Sequence, residues 1–215
     1  MTQYVDVEIY ADIICPWCYI GKTLLDRALE AEPEHPFEIE WHPFQLNPDM
    51  PMEGMDRRAY LEGKFGGKKA AVKVYGQIDQ HARDVGLELD LGGIKRTPNT
   101  LNAHRLIHWA GIEQRQSMVV SAMFRAYFKE GRDISDVEVL ADLADTCGMD
   151  AALIQRLLAT DEDLEGVREK DAGFRKMGVN SVPTFIIAGQ HAVPGAQSPE
   201  MWRKVIADIK AQLNE

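Results

Sequence analysis

An alternating run, Val5-Asp6-Val7-Glu8-Ile9-Tyr10, passes within five residues into Cys15-Pro16-Trp17-Cys18, and that motif opens an amphipathic helix. Trp17, Ile20, Leu24, Leu25, Ala28 and Leu29 recur at helical spacing on one face. Pro16 suits the first helical position, where a missing N–H is harmless. Cys15 then falls at the N-cap and Cys18 one turn further in. Phe37-Glu38-Ile39-Glu40-Trp41-His42 alternates again, after a break at Glu32-Pro33-Glu34-His35-Pro36. A β-α-β unit with a right-handed crossover follows, and it sets the cysteines at a strand-to-helix junction.

The far end of the chain supplies complementary strands. Thr184-Phe185-Ile186-Ile187 follows Val182-Pro183, Ala188-Gly189-Gln190 reads as a turn, and His191-Ala192-Val193 as a hairpin partner. Ser198 and Pro199 start a last helix whose buried face is Trp202, Val205, Ile206, Ile209 and Leu213. Between the two ends, from Asp56 to about Gly178, the pattern is almost wholly helical. Ser135-Asp136-Val137-Glu138 reads as a capping box with Ser135 as the cap. Gly148 and Asp150 suit a helix end and the next start. Leu164, Val167, Phe174 and Met177 form a further apolar face. The expected architecture is α/β: a four-stranded sheet in a discontinuous domain, residues 1–53 and 178–215, interrupted by an all-helical insertion over 54–177.

Composition narrows function. The 215 residues carry a net charge of −10, which disfavours contact with phosphate backbones, so no nucleic-acid partner is expected. No apolar run reaches the ~20 residues that span a bilayer, so none is expected in a membrane. Met1-Thr2-Gln3-Tyr4-Val5-Asp6 has neither the basic nor the apolar region of a secretory signal, and the expected location is the cytoplasm. Nothing in the pattern sets an oligomeric state.

Two cysteines one turn apart at a helix start suit thiol–disulfide exchange. Cys15, next to unpaired N–H groups and the positive end of the helix dipole, should be the more acidic thiol and the nucleophile. Cys18, further in and more buried, should resolve the mixed disulfide. Half a zinc site is the structural alternative, but four ligands are wanted. Cys147 stands apart at the end of an apolar face and reads as core. His104 and His108 are one turn apart without a carboxylate to complete a metal pattern, and read as helix surface or cleft wall. No metal is expected. Lys64, Lys68, Lys69 and Lys73 read as a solvated helix face. Pro183, by itself, reads as a strand-start proline.

These residues resemble the DsbA-like branch of the thioredoxin superfamily, and within it FrnE-like proteins. The resemblance is carried by Ile9 through Lys22, by Arg96-Thr97-Pro98-Asn99-Thr100, by Gly178 through Phe185, and by Pro194-Gly195-Ala196-Gln197. It implies a thioredoxin fold with an inserted helical domain. It implies a cis Val182-Pro183 bond beside the cysteine pair, with the Val182 backbone offered to an extended substrate. Asp12 would be a proton acceptor for the resolving thiol or a turn cap, and Thr97 and Asn99 candidate cleft residues. No permanently bound cofactor is implied beyond a redox-active Cys15–Cys18 disulfide, with glutathione as a candidate cosubstrate. Protein thiols and disulfides, or glutathione, are the expected partners.

The function so implied is a thiol–disulfide oxidoreductase of reductase or isomerase type. The alternative is a glutathione-dependent isomerase or transferase of the 2-hydroxychromene-2-carboxylate isomerase or kappa-class type, acting on a small aromatic molecule. Those enzymes typically carry Ser where Cys15 stands. The chain also lacks the second C-terminal cysteine pair of some FrnE-like proteins.

Trp17 sets the expected redox balance, because indole carries a neutral N–H and no positive charge. Trp17→His should therefore lower the Cys15 pKa, read by thiolate ultraviolet absorbance against pH. A wild-type value already near the ~3.5 of the most oxidising such motifs would contradict this.

Overall fold

The computed structural model describes residues 4–213. Residues 1–3 and 214–215, the extreme ends of the expected 1–53 and 178–215 segments, lie outside the described residues. Nine helices and six strands are assigned among those described. β1 (Val5–Ala11), α1 (Pro16–Ala31) and β2 (Phe37–Pro43) form the first unit. β5 (Thr184–Ile187), β6 (His191–Pro194) and α9 (Pro199–Leu213) form the last. Together their strands make one sheet in the order β2-β1-β5-β6. β1 and β2 are parallel, Val5 opposite Phe37 through Ala11 opposite Pro43. β5 runs antiparallel to β1, with Tyr10 opposite Thr184, and β6 antiparallel to β5.

The alternation in β1 is what the sheet buries. Val7 and Ile9 are fully buried, while Asp6 on the opposite face is exposed. Tyr10 shares the face of Asp6 and Glu8 yet is buried too, because Phe174 closes over it edge-on at 4.5 Å and His42 stacks on it at 5.1 Å. On α9, Trp202 meets Phe185 of β5 edge-on at 4.8 Å, and α9 packs along α1.

Between β2 and β5 the chain forms α2 (Arg57–Phe65), α3 (Lys68–Asp84), α4 (Leu101–Ile112), α5 (Gln116–Phe128), α6 (Val137–Thr146), α7 (Ala151–Leu158) and α8 (Leu164–Lys176). The almost wholly helical pattern expected from Asp56 to Gly178 has its longest interruption over 85–100. There Gly92-Gly93 and Pro98 break the pattern, and a short strand, β4 (Arg96–Thr97), pairs antiparallel with β3 (Met55–Asp56) just ahead of α2. The expected Ser135 cap is also corrected. Asp136 is the N-cap and accepts from the Glu138 N–H at 2.9 Å, while the Ser135 hydroxyl donates to Asp133 at 2.6 Å. Met177 leaves the apolar face of α8, being 67% exposed just past the last turn.

β2 is an edge strand, and its free backbone pair does not go unmet. The Trp41 N–H donates to Gln116 Oε1 at 2.7 Å, and Gln116 Nε2 donates to the Trp41 carbonyl at 2.9 Å. One side-chain amide on α5 thus supplies what a neighbouring strand would.

Gly21 on α1 faces Pro183, and a Cβ there would stand 2.9 Å from Pro183 Cγ and 3.5 Å from the Ala196 backbone. Gly21→Ala should cost about 1–3 kcal/mol by overpacking a contact with little room to shift. A lower urea midpoint at unchanged m-value is the expected reading.

Candidate functional site

Cys15 is the N-cap of α1, in extended backbone (φ −86°, ψ 114°), and Pro16 is the first helical residue. The Cys15 carbonyl accepts from the N–H of Cys18 at 3.0 Å and of Tyr19 at 3.3 Å, while its own N–H donates to the Asp12 carbonyl at 3.0 Å. All three cysteines are free and buried. The 182–183 bond is cis, and the Cys15 thiol lies 3.8 Å from the Val182 carbonyl. The Pro183 carbonyl in turn accepts from the Gly195 N–H at 2.8 Å. Residues more than 160 apart in sequence therefore meet at one sulfur, because β5 starts beside the end of β1.

The two thiols are unequal. The Cys15 pKa is lowered, chiefly by the hydrogen bond from the Cys18 thiol, against the opposing effect of burial. Backbone N–H groups of Cys18 and Trp17 add to the lowering. Cys18 is raised well above the ordinary thiol value, first by burial and then by its hydrogen bond and charge interaction with Cys15. The contribution anticipated from the helix start is present, but the neighbouring thiol outweighs it.

Asp12 is fully buried. One carboxylate oxygen accepts from the Leu46 N–H at 2.6 Å and the other from the Ile14 N–H at 3.4 Å. The carboxylate thus ties the loop after β1 to the loop after β2, and its charge raises both thiols. His104 on α4 completes this layer. It is buried, with Nε2 3.6 Å from Asp12 Oδ1 and without a hydrogen-bond partner. The helix-surface reading of His104 is corrected, since α4 is buried nearly all round, through Ala103, His104, Arg105, Leu106, Ile107 and Trp109, whereas the cleft-wall alternative agrees with His104 and His108 lining a cavity beside β2. His108, one turn on, is partly exposed and lies 3.9 Å from Asp163.

Trp17 is 37% exposed beside the pair, its ring 5.2 Å from that of His81 on α3. Thr97 and Asn99 are buried rather than open. Asn99 Nδ2 donates to the Met50 carbonyl at 2.6 Å, and its Oδ1 accepts from Gln45 at 3.2 Å and the Leu101 N–H at 2.9 Å. Asn99 therefore locks the loop ahead of α4. Cys147 is a buried C-cap on α6, and burial raises its thiol. On the cysteine side of the fold, Arg57 lies between the Tyr75 and Tyr127 rings, and the Cys15 charge reaches Tyr75. A buried arginine at residue 57 had no counterpart in the sequence reading, because nothing in helical spacing marks a cation as internal.

No helix among the described residues is long and apolar enough to cross a membrane. The DSBA-like thioredoxin domain family matches residues 6–207. The protein YwbO of Bacillus subtilis is 28% identical over 206 residues, 95% of this chain and 96% of that one. The probable DsbA oxidoreductase SCO1869 of Streptomyces coelicolor superposes with a TM-score of 0.84 at 28% identity, over 95% of this chain and 89% of that one. The fold is shared with 2-hydroxychromene-2-carboxylate isomerase (TM-score 0.73, 16% identity, 97% and 98% covered). It is shared also with the cytosolic disulfide reductase DsbM of Pseudomonas aeruginosa (0.69, 18%, 97% and 98%), which has a second structure with GSH.

Removing the Asp12 charge should free both thiols to ionise more easily. In Asp12→Asn the pH profile of Cys15 alkylation by iodoacetamide should move to lower pH, since a neighbouring negative charge disfavours a thiolate. An unmoved profile would show that the charge is screened from the sulfur.

Proposed function

The chain belongs to the DSBA-like thioredoxin domain family and is an enzyme of the disulfide oxidoreductase/isomerase class, and from that premise we propose that Cys15 and Cys18 carry out dithiol–disulfide exchange as a reductase or isomerase of the FrnE-like branch. The observation that carries this reading is the inequality of the two thiols across one helical turn. The outer sulfur, at the helix start, is acidified chiefly by the hydrogen bond from the inner thiol, and burial raises the inner one.

The Cys15 thiolate attacks one sulfur of a substrate disulfide. A Cys15–substrate bond forms, the substrate S–S bond breaks, and the other substrate sulfur leaves as a thiolate. With Cys15 in a mixed disulfide, its charge no longer holds the Cys18 proton. Cys18 loses that proton and attacks Cys15 Sγ, forming the Cys15–Cys18 disulfide and releasing the second substrate thiol. Two electrons have then passed to the substrate. Release before resolution, with attack by another substrate thiol, gives isomerisation.

Asp12 is assigned as proton acceptor for Cys18, with His104 packed against it. Val182 presents its carbonyl beside Cys15, where an extended substrate backbone would align. Pro16 fixes the helix start, Trp17 borders the sulfur, and Pro183 walls it. Thr97 and Asn99 shape the loop ahead of α4. The division into a 1–53 plus 178–215 sheet domain and a 54–177 helical domain is part of this reading, the second setting substrate choice.

A thiol must regenerate the dithiol. Glutathione is the proposed cosubstrate, in a reducing compartment such as that of the P. aeruginosa reductase. The glutathione-dependent isomerase alternative is less well supported, because both cysteines are present where those enzymes typically carry Ser.

Cys18→Ser should accumulate mixed disulfides on Cys15, identified by intact mass and peptide mapping, and should lose turnover in insulin reduction. Cys15→Ser should trap nothing. Wild-type protein that neither reduces insulin nor reshuffles scrambled disulfides would overturn the reading.

A further inference from the structure

We propose that the cavity between α2, α3 and the turn over 91–95 binds a small organic acid, its apolar body seated in the cavity and its carboxylate taken by Arg57.

Arg57 is 5% exposed, yet among the described residues it has no carboxylate within ion-pair reach. Nη1 donates to the Tyr127 hydroxyl at 2.9 Å. Nη2 is buried without a hydrogen-bond partner of good geometry, although the guanidinium reaches the Tyr75 hydroxyl. The guanidinium carbon stands 5.1 Å from the Tyr75 ring centre and 5.8 Å from that of Tyr127. Those π faces attract the cation but do not neutralise it. Its place in the chain adds to the cost. Arg57 is the first residue of α2, capped by Asp56, so its charge sits at the positive end of a helix dipole. The backbone holds it there through the Arg57 N–H, which donates to the Lys95 carbonyl at 3.0 Å.

The nearby acids are committed elsewhere. Asp56 accepts from the Ala59 N–H at 2.9 Å, and Glu62 accepts from Arg58 Nε at 2.7 Å. A buried, unpaired cation is unfavourable unless something anionic completes it. The cavity has room for that group. Its volume is about 400 Å³, and its apolar wall is Leu61, Ala71, Val72, Leu91 and Ile94. That volume falls in the range of small-molecule sites, in which a few polar groups orient an apolar ligand. A carboxylate at Nη2 would make a charge-assisted hydrogen bond in a place shielded from water. An acid with an apolar body matches both the apolar wall and the buried cation, while Asp56, Arg58, Glu62, Lys68 and Lys95 complete the lining.

Tyr75 links this cavity to the dithiol. It lines the cavity and also feels the charge of Cys15. Binding at Arg57 does not depend on the exchange chemistry, so either reading can fail alone.

The test is calorimetric titration of the reduced full-length protein with 2-naphthoate and with its neutral analogue 2-naphthamide. The acid should saturate one site and bind about tenfold or more tightly than the amide, as expected for one charge-assisted contact. Arg57→Met should abolish the preference for the acid. Val72→Trp fills the rim at a position 64% exposed, so folding and the Arg57–Tyr127 bond should persist while both ligands weaken about tenfold. Equal affinity for acid and amide would overturn the proposal. So would binding indifferent to Val72→Trp, or no saturable binding of the acid.

Discussion

Everything at the cysteine pair depends on the antiparallel pairing of β5 with β1. Tyr10 opposite Thr184 places residue 182 within reach of residue 15, although 167 residues separate them. No local preference does this. The register is set by burial, since Val7 and Ile9 on one strand and Phe185 and Ile187 on the other all enter the core. A slip of one residue would turn each strand's apolar set outward and would move Val182 away from the sulfur. The close approach of Gly21 to Pro183, and the Gly195 bond to the Pro183 carbonyl, then hold the loop from two further sides.

Around that junction the chain arranges charge in layers. Asp12 lies beneath both thiols, with His104 behind it at 3.6 Å. Arg57, Tyr75 and Tyr127 form a second polar group, held together by the Arg57 guanidinium. A carboxylate under a thiolate works against ionisation, and the hydrogen bond from Cys18 works for it. Cys15 is therefore acidified by its neighbouring thiol more than by the helix start. In the proposed exchange that coupling would give the steps their order, because the bond that stabilises free Cys15 would be lost once Cys15 is joined to substrate.

Much of this was legible beforehand. The β-α-β and β-β-α ends, Cys15 at an N-cap with Pro16 behind it, and the Ser198–Pro199 start of α9 follow from periodicity and capping chemistry, which act over a few residues. The resemblance carried the cis 182–183 bond. What misled was equally physical. His104 and His108 share a helical spacing, but spacing does not say that α4 is enclosed on nearly every side. Ser135 and Asp136 both satisfy a capping pattern, and the choice between them rested on Asp133 claiming the serine hydroxyl. The β3–β4 ladder is two residues long on each side, too short to leave a pattern.

The sequence alone determined the elements near the motif and the place of Cys15 at a helix start, because alternation, helix propensity and capping are local. Tertiary structure decided which residues surround the sulfurs. It brought Val182 to Cys15, buried His104 against Asp12, and left Arg57 enclosed without a counter-charge. Burial and through-space charge depend on where distant segments pack, and no window of neighbouring residues contains that.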